Sequence, residues 1–288
     1  MIKFENGKFV GYVNGKAIVK STSEYYVKRK VAEMESVPAP TPSEFGINQR
    51  FGFLEQMVSM VAEGTMPSCV ITGEGGLGKS YTVVKSLEHA GLKNVTDLAD
   101  FQIGQLINLK KSYRIVKGFS TAKGLYRTLF ECNGMTIVFD DCDSVLKDDV
   151  ARNLLKGALD SFSKRYISWM ADMRDDDLPK SFEFTGRVVF VSNMPLEKID
   201  QAIRTRCMVV DLSMTEAQKV ERMEVIARSD EFLPEIDNSV KESALAFLKS
   251  QIGKVPNLSL RSLIQVSKIF SRGGDQTSLA KYVLTQGA

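Results

Sequence analysis

The sequence predicts an α/β fold built on a five-stranded parallel sheet, preceded by a small β-meander and followed by an all-helical C-terminal segment. Three observations carry this. From Phe45 to Leu212 short apolar runs alternate with helical stretches, the pattern of parallel strands joined by crossover helices. After Met214 the strand-like runs stop and helical patterns alone continue. Between the first apolar run and the helix that follows it lies Gly73-Glu74-Gly75-Gly76-Leu77-Gly78-Lys79-Ser80, which fits the phosphate-binding pattern G-x-x-x-x-G-K-[ST].

Residues 1–36 read as the meander plus one short helix. Asn6-Gly7 and Asn14-Gly15 are both type I′ hairpin signals, and they separate Ile2–Phe4, Phe9–Val13 and Ala17–Val19. Ser23 opens a helix to about Glu35 that contains Lys28-Arg29-Lys30 among Glu24, Glu33 and Glu35. Three short strands cannot support a core of their own, so they must pack on the main body or on a partner. Residues 37–44 form a linker, because Val37-Pro38-Ala39-Pro40-Thr41-Pro42 cannot be helical. The α/β core spans 45–214, with strands at 69–72, 113–117, 135–139, 187–191 and 208–212. Its helices are Gln49–Ala62, Tyr81–His89, Ala122–Glu131 and Asp148–Ser163. In 215–288, Thr215 caps a helix to Arg228, Asn238 one to about Ser250, Ser259 one to Phe270, and Thr277 a last short one.

Composition narrows the function classes. A hydrophobic share of 43% and a charged share of 25% are ordinary for a water-soluble globular chain. A net charge of +3 gives no bulk electrostatic case for nucleic acid, though a local basic face stays open. Cys69, Cys132, Cys142 and Cys207 are scattered without a C-x-x-C pair, which argues for reduced thiols in a cytoplasmic setting and against a zinc site. His89 is the single histidine; it reads as a surface residue at a helix end, and chemistry built on His pairs is excluded. No apolar run is long enough for a bilayer, and Lys3, Glu5 and Lys8 interrupt any leader pattern. A membrane partner is therefore not expected.

The glycine-rich loop is the strongest chemical signal. Its glycines let backbone N–H groups turn toward phosphate oxygens, Lys79 supplies a point charge for the β/γ-phosphates, and the Ser80 hydroxyl is a ligand for Mg²⁺. Cys69–Thr72 before it is a buried-strand pattern, and Tyr81 begins the helix whose positive end faces the anion. Gly73 to Ser80 together with Tyr81 are thus the candidate nucleotide contacts. Met135-Thr136-Ile137-Val138-Phe139-Asp140-Asp141 is an apolar strand ending in two carboxylates. Asp140 suits a water-mediated Mg²⁺ contact opposite Ser80, and Asp141 suits orienting an attacking water. Two surface aspartates in a turn would read alike; their separation from the loop favours the site. Asn193, just past the strand Arg187–Val191, stands where such sheets hold ligands, although asparagine also commonly ends strands. Arg204 and Arg206 precede the strand Met208–Leu212 and, taken alone, could be surface charge.

In this order the motifs resemble an AAA+ ATPase over about residues 45 to 272, with wording close to small single-module phage, mobile-element or clamp-loader-like members. The resemblance implies ATP and Mg²⁺ as ligands. It implies Lys79 and Ser80 as the Walker A pair, Asp140 as the Walker B magnesium ligand and Asn193 as sensor 1. Asp141 stands where the family usually has glutamate, which shortens its reach to water. Thr205-Arg206-Cys207 looks like the Ser-Arg-Cys element, making Arg206 the first candidate for an arginine finger entering a neighbouring subunit, with Arg204 second. Arg261 in Leu258-Ser259-Leu260-Arg261 resembles sensor 2; a solvated helix arginine is the alternative. The resemblance further implies a ring or spiral of identical subunits and work on DNA or a DNA-bound protein. A polypeptide-threading motor using a pore loop at Lys117-Gly118-Phe119, and an ATP-gated scaffold with slow turnover, are the other readings. Phe119 equally suits packing beside a turn at Gly118. The stretch from Lys164-Arg165-Tyr166 and Trp169 to Asp172, Arg174 and Asp175-Asp176-Asp177 suits either a charged channel loop or a solvated hairpin.

Overall fold

The computed structural model describes residues 2–13, 16–35, 43–98, 108–118, 120–160, 163–170, 178–255 and 258–286. The chain divides into two compact units, Met1–Glu44 and Phe45–Ala288. In the first, β1 (Ile2–Glu5), β2 (Lys8–Val13) and β3 (Lys16–Ser21) form an antiparallel sheet in that order. Asn6 and Gly7, both at positive φ, turn the first hairpin as its Asn-Gly pair dictates. The α1 helix (Glu24–Glu35) packs on the sheet so closely that a Cβ on Gly11 would run into Val31, Val19 and Val27. The Asn14-Gly15 turn and the proline-rich segment at 37–42 lie outside the described residues.

The second unit is built on a six-stranded sheet. Its strands are β4 (Ser68–Thr72), β5 (Lys93–Asn94), β6 (Ser112–Lys117), β7 (Thr136–Asp140), β10 (Arg187–Val191) and β11 (Met208–Asp211), ordered β11-β4-β10-β7-β6-β5 and all parallel. The expectation of five strands is corrected by β5. It is two polar residues long, so it carries no apolar signal; only its pairing with Ser112 and Tyr113 makes it a strand. Of the other five, β4, β7 and β10 are buried along nearly their whole length because both faces are covered. On one face α2 (Ile47–Glu63) and α3 (Lys79–His89) bury Phe51, Leu54, Val83 and Leu87. On the other, α4 (Ala122–Glu131) and α6 (Asp149–Ala158) bury Leu125, Leu129 and Leu155, with α5 (Asp143–Lys147) leading in. The helix expected over Asp148–Ser163 ends early, at Ala158, and starts where the Asp148 carboxylate caps the Ala151 N–H at 2.7 Å. The stretch after it contains a short hairpin, β8 (Tyr166–Ser168) with β9 (Ser181–Glu183); Asp172, Arg174 and Asp175 to Asp177 lie outside the described residues.

A one-turn helix α7 (Gln201–Arg204) leads into β11. Beyond it α8 (Glu216–Ala227), α9 (Asn238–Ser250), α10 (Leu260–Phe270) and α11 (Gln276–Gln286) share a separate apolar core around Met223, Leu248, Leu263 and Val266. Thr215 and Ser259 both close capping boxes. Asn238 is the first helical residue rather than the cap, and the last helix begins at Gln276 and runs longer than expected.

Gly73 fixes where β4 hands over to the glycine-rich loop. Its φ is +128°, and a Cβ there would meet the Leu212 carbonyl carbon at 2.8 Å. Gly73→Ala should therefore lower stability by about 1–3 kcal/mol. Gly52→Ala, mid-helix with open space around it, should raise stability by about 0.4–1 kcal/mol. Urea unfolding of both variants checks the pair; equal effects would contradict this account of the loop.

Candidate functional site

The site forms at the carboxyl ends of β4, β7 and β10, where open parallel sheets place ligands. The loop after β4 wraps the end of α3, whose helical N-cap is Gly78 at φ +91°. Leu77 is buried under the loop, while Glu74 stands outward. Lys79, on the first turn of α3, is almost fully buried, so its ammonium must find acceptors. It donates to the Gly73 and Glu74 carbonyls, each at 2.6 Å, and to Asn193 Oδ1 at 3.0 Å. Burial draws the Lys79 pKa down to about 8, against the opposing pull of Asp141, Asp140, Asp143 and Glu74.

Asn193 faces two ways. Its Oδ1 takes the Lys79 ammonium and its Nδ2 donates to Asp141 Oδ1 at 2.5 Å. The two charges fix the amide orientation, since oxygen must meet the cation and nitrogen the carboxylate. Asp141 sits at φ +57°, a strained value for a non-glycine residue, held by its N–H to the Val191 carbonyl at 3.0 Å. Beside it the Ser80 hydroxyl donates to Asp140 Oδ1 at 2.7 Å. The structure thus brings Lys79, Ser80, Asp140, Asp141 and Asn193 together from three separate stretches of sequence.

A residue that the sequence placed elsewhere joins them. Lys117, read as part of a substrate-gripping loop, ends β6 directly opposite Asp140 in the parallel register. Its ammonium lies 3.0 Å from Asp140 Oδ2. Phe119, the other half of that reading, lies outside the described residues. The exit of β6 is tied further to the exit of β7. Cys142 Sγ donates to the Val116 carbonyl at 3.3 Å, and Ser120 N–H donates to Ser144 Oγ at 3.2 Å. The strand register was the missing signal, since Lys117 and Asp140 are neighbours only once β6 and β7 are paired.

A cavity of about 880 Å³ opens from this cluster and is closed on its far side by the helical segment. Gly75 to Ser80 and Tyr81 line it, with Asp141 and Asn193 at its floor. Val225, Ile226, Phe232 and Leu233 give it an apolar wall. Arg261 lines it from the start of α10, and the neighbouring Leu260 N–H donates to the Gly76 carbonyl at 3.0 Å. The Tyr81 hydroxyl donates to Glu231 Oε2 at 2.9 Å across the mouth, and Lys85 stands 3.5 Å from the same oxygen. His89, expected to be merely a surface residue, is exposed but lies on the cavity wall. Arg204 and Arg206 do not reach this cavity. They sit beside β11 at the sheet's end, Arg206 donating to the Ala202 carbonyl at 2.9 Å while Nε of each arginine has no hydrogen-bond partner.

No family model matches the chain. An uncharacterized 36.7 kDa protein from the nrdC-mobD intergenic region of Enterobacteria phage T4 is 27% identical over 240 residues, covering 77% of this chain and 69% of that protein. Among solved structures, NtrX from Brucella abortus in complex with ADP aligns over 90% of this chain with a TM-score of 0.40 and 15% identity. The ATP complex of NtrX aligns over 91% with a TM-score of 0.39 and 15% identity. This chain spans about half the length of those structures, 52% in each case. Among the described residues no helix is long and apolar enough to cross a membrane.

The Lys79–Asn193–Asp141 bridge has a measurable consequence. Asn193→Ala removes two hydrogen bonds to charged groups and should cost about 1–3 kcal/mol of stability. A lowered urea midpoint at constant m is the expected result; an unchanged midpoint would mean the bridge contributes nothing to the fold.

Proposed function

We propose that this protein is a Mg²⁺-dependent ATPase of the AAA+ kind that works as a ring or spiral of identical subunits and remodels a protein–DNA assembly. The observation that carries the nucleotide reading is the convergence of Lys79, Ser80, Asp141 and Asn193 on one cavity, with Asp140 bonded to Ser80 just behind it. That cavity is roomy enough for a nucleotide. Its loop of turned glycines offers N–H groups and a helix N-terminus to phosphates, and its apolar wall suits a base. The DNA role rests on the motif resemblance, and DNA is the first substrate class to test.

The donor set suits the metal. Ser80 Oγ and Asp140 Oδ1 are two hard oxygens 2.7 Å apart. Among the described residues no group of three or more acidic, histidine or cysteine side chains forms a full protein cage. Mg²⁺ is commonly held by one or two protein ligands, with phosphate and water completing its shell. Bound there, it would neutralise charge on the phosphate oxygens. The chain's own residues would do the rest. Lys79 would exchange the Gly73 and Glu74 carbonyls for phosphate oxygens. Asp141 would accept a hydrogen bond from the attacking water, held in position by Asn193. Arg261 would reach the phosphates of its own site. Arg206, absent from this cavity, would serve a neighbouring subunit, with Arg204 as the alternative; such a finger is worth about 10³–10⁵ in rate in analogous enzymes.

One observation favours a second reading, an ATP-gated scaffold with slow turnover. Both carboxylates are already engaged, the metal-ligand candidate Asp140 by Ser80 and Lys117 and the catalytic candidate Asp141 by Asn193. The reach of Asp141 is also shorter than that of a glutamate.

Lys79→Ala should abolish tight binding of a fluorescent ATP analogue; unchanged affinity would sink the nucleotide reading. Arg206→Ala should keep binding and lose turnover, with partial recovery when mixed with Lys79→Ala subunits, whose own Arg206 is intact. Absence of recovery at every mixing ratio would argue against a shared site. Steady-state hydrolysis against protein concentration, with and without single-stranded and duplex DNA, separates the readings: DNA stimulation supports the remodelling role, and near-zero turnover throughout supports the scaffold. Lys117→Met should tighten Mn²⁺ binding in the presence of ADP by about two- to fivefold, the range of a water-exposed ion pair. Mn²⁺ titration followed by electron paramagnetic resonance reads this, and weaker binding would show that Lys117 does not compete for Asp140.

A further inference from the structure

Lys219 is the one lysine outside the glycine-rich loop whose partners include that loop among the ion pairs described. It belongs to the first turns of α8, and its side chain is only 6% exposed. Its ammonium lies 2.8 Å from Glu74 Oε2 and 3.0 Å from Glu216 Oε1. Burial alone would draw its pKa down, but the two carboxylates more than offset this and the net shift is upward. Glu74 therefore serves two ammoniums at once. Its backbone carbonyl holds Lys79 and its carboxylate holds Lys219. Three residues further along α8 the helix becomes the cavity wall, through Arg222, Val225 and Ile226.

We propose that Lys219 is a positioning residue for the nucleotide site, tethering the phosphate loop to α8 through Glu74 so that the cavity wall follows what Lys79 holds. The proposal rests on the nucleotide reading for its purpose, though not for its existence. When Lys79 leaves the Glu74 carbonyl for a phosphate, the Glu74 peptide loses one of its two restraints. The carboxylate tether to Lys219 is the other. It keeps the loop registered against α8 and passes the loop's displacement to the helix. Lys219 cannot simply swing away, because a buried ammonium left with half its partners is poorly compensated. Glu216, on the same helix, gives α8 no hold on the loop.

Glu74→Gln and Lys219→Met are the informative variants, since the first keeps the Lys219–Glu216 pair and so preserves the helix. Each should weaken binding of a fluorescent ATP analogue by about fivefold or more, within the usual range of coupling between sites. The double variant should be no weaker than the worse single one, and Lys219→Arg should restore most of the loss. Hydrogen exchange should find that nucleotide protects α8 in the wild type and not in either variant. Additive losses, or α8 protection that persists without Lys219, would overturn the proposal. A ligand-free test separates it from the nucleotide reading. Lys79 and Lys219 make no mutual contact, so Lys79→Met and Lys219→Met should shift the melting temperature additively unless Glu74 couples them. Non-additive shifts support the tether even if the wild type binds no ATP analogue, an outcome that would refute the function alone; additive shifts overturn the tether.

Discussion

The burial of one ammonium organises this molecule's chemistry. Lys79 cannot lie under the glycine-rich loop unless every one of its protons meets an acceptor, and the loop's conformation is what supplies them. Two are backbone carbonyls that the turned glycines point inward. The third is a side chain from a different strand, Asn193, and that choice has consequences. An amide with its oxygen committed to a cation must present its nitrogen elsewhere, and the carboxylate of Asp141 is there to receive it. One satisfied cation thus sets the relation between the ends of β4, β7 and β10.

The sheet makes this arrangement cheap to hold. Its central strands β4, β10 and β7 are buried on both faces and locked by register, so residues at their carboxyl ends stand at fixed heights. At the ends of β4 and β7 the backbone turns through positive φ, at Gly73 and Asp141. The helical segment contributes differently. It meets the loop through few contacts, among them the Leu260 amide on Gly76 and Lys219 on Glu74. Its core is separate from the two that sandwich the sheet. The segment is also fastened to α2 and α3, by Asn48 with Glu221, Arg222 over the Phe51 ring and Tyr81 with Glu231.

Much of this was legible in the sequence because it rests on local rules. Five of six strands showed as short strand-like runs, and Thr215 and Ser259 stood out at the starts of two helices. The glycine-rich loop specified its own neighbourhood. What stayed hidden was non-local. β5 exists only by pairing. Lys117 reaches Asp140 only through the β6–β7 register. Lys219 and Glu74 are far apart in sequence, and neither belongs to a pattern that names the other. The same holds for Glu231, a loop residue whose partners Tyr81 and Lys85 lie on α3. Arg204 and Arg206 were legible as a pair beside β11, and they lie outside this cavity.

The ties between the exits of β6 and β7 carry a mechanical consequence. Three bonds of different kinds cross there: the Lys117 ammonium on Asp140, the Cys142 thiol on the Val116 carbonyl, and the Ser120 amide on Ser144. Cross-bracing of this sort makes two strand ends a single rigid plate. A shift of either strand end is therefore shared with the other, and Asp140 lies at their junction.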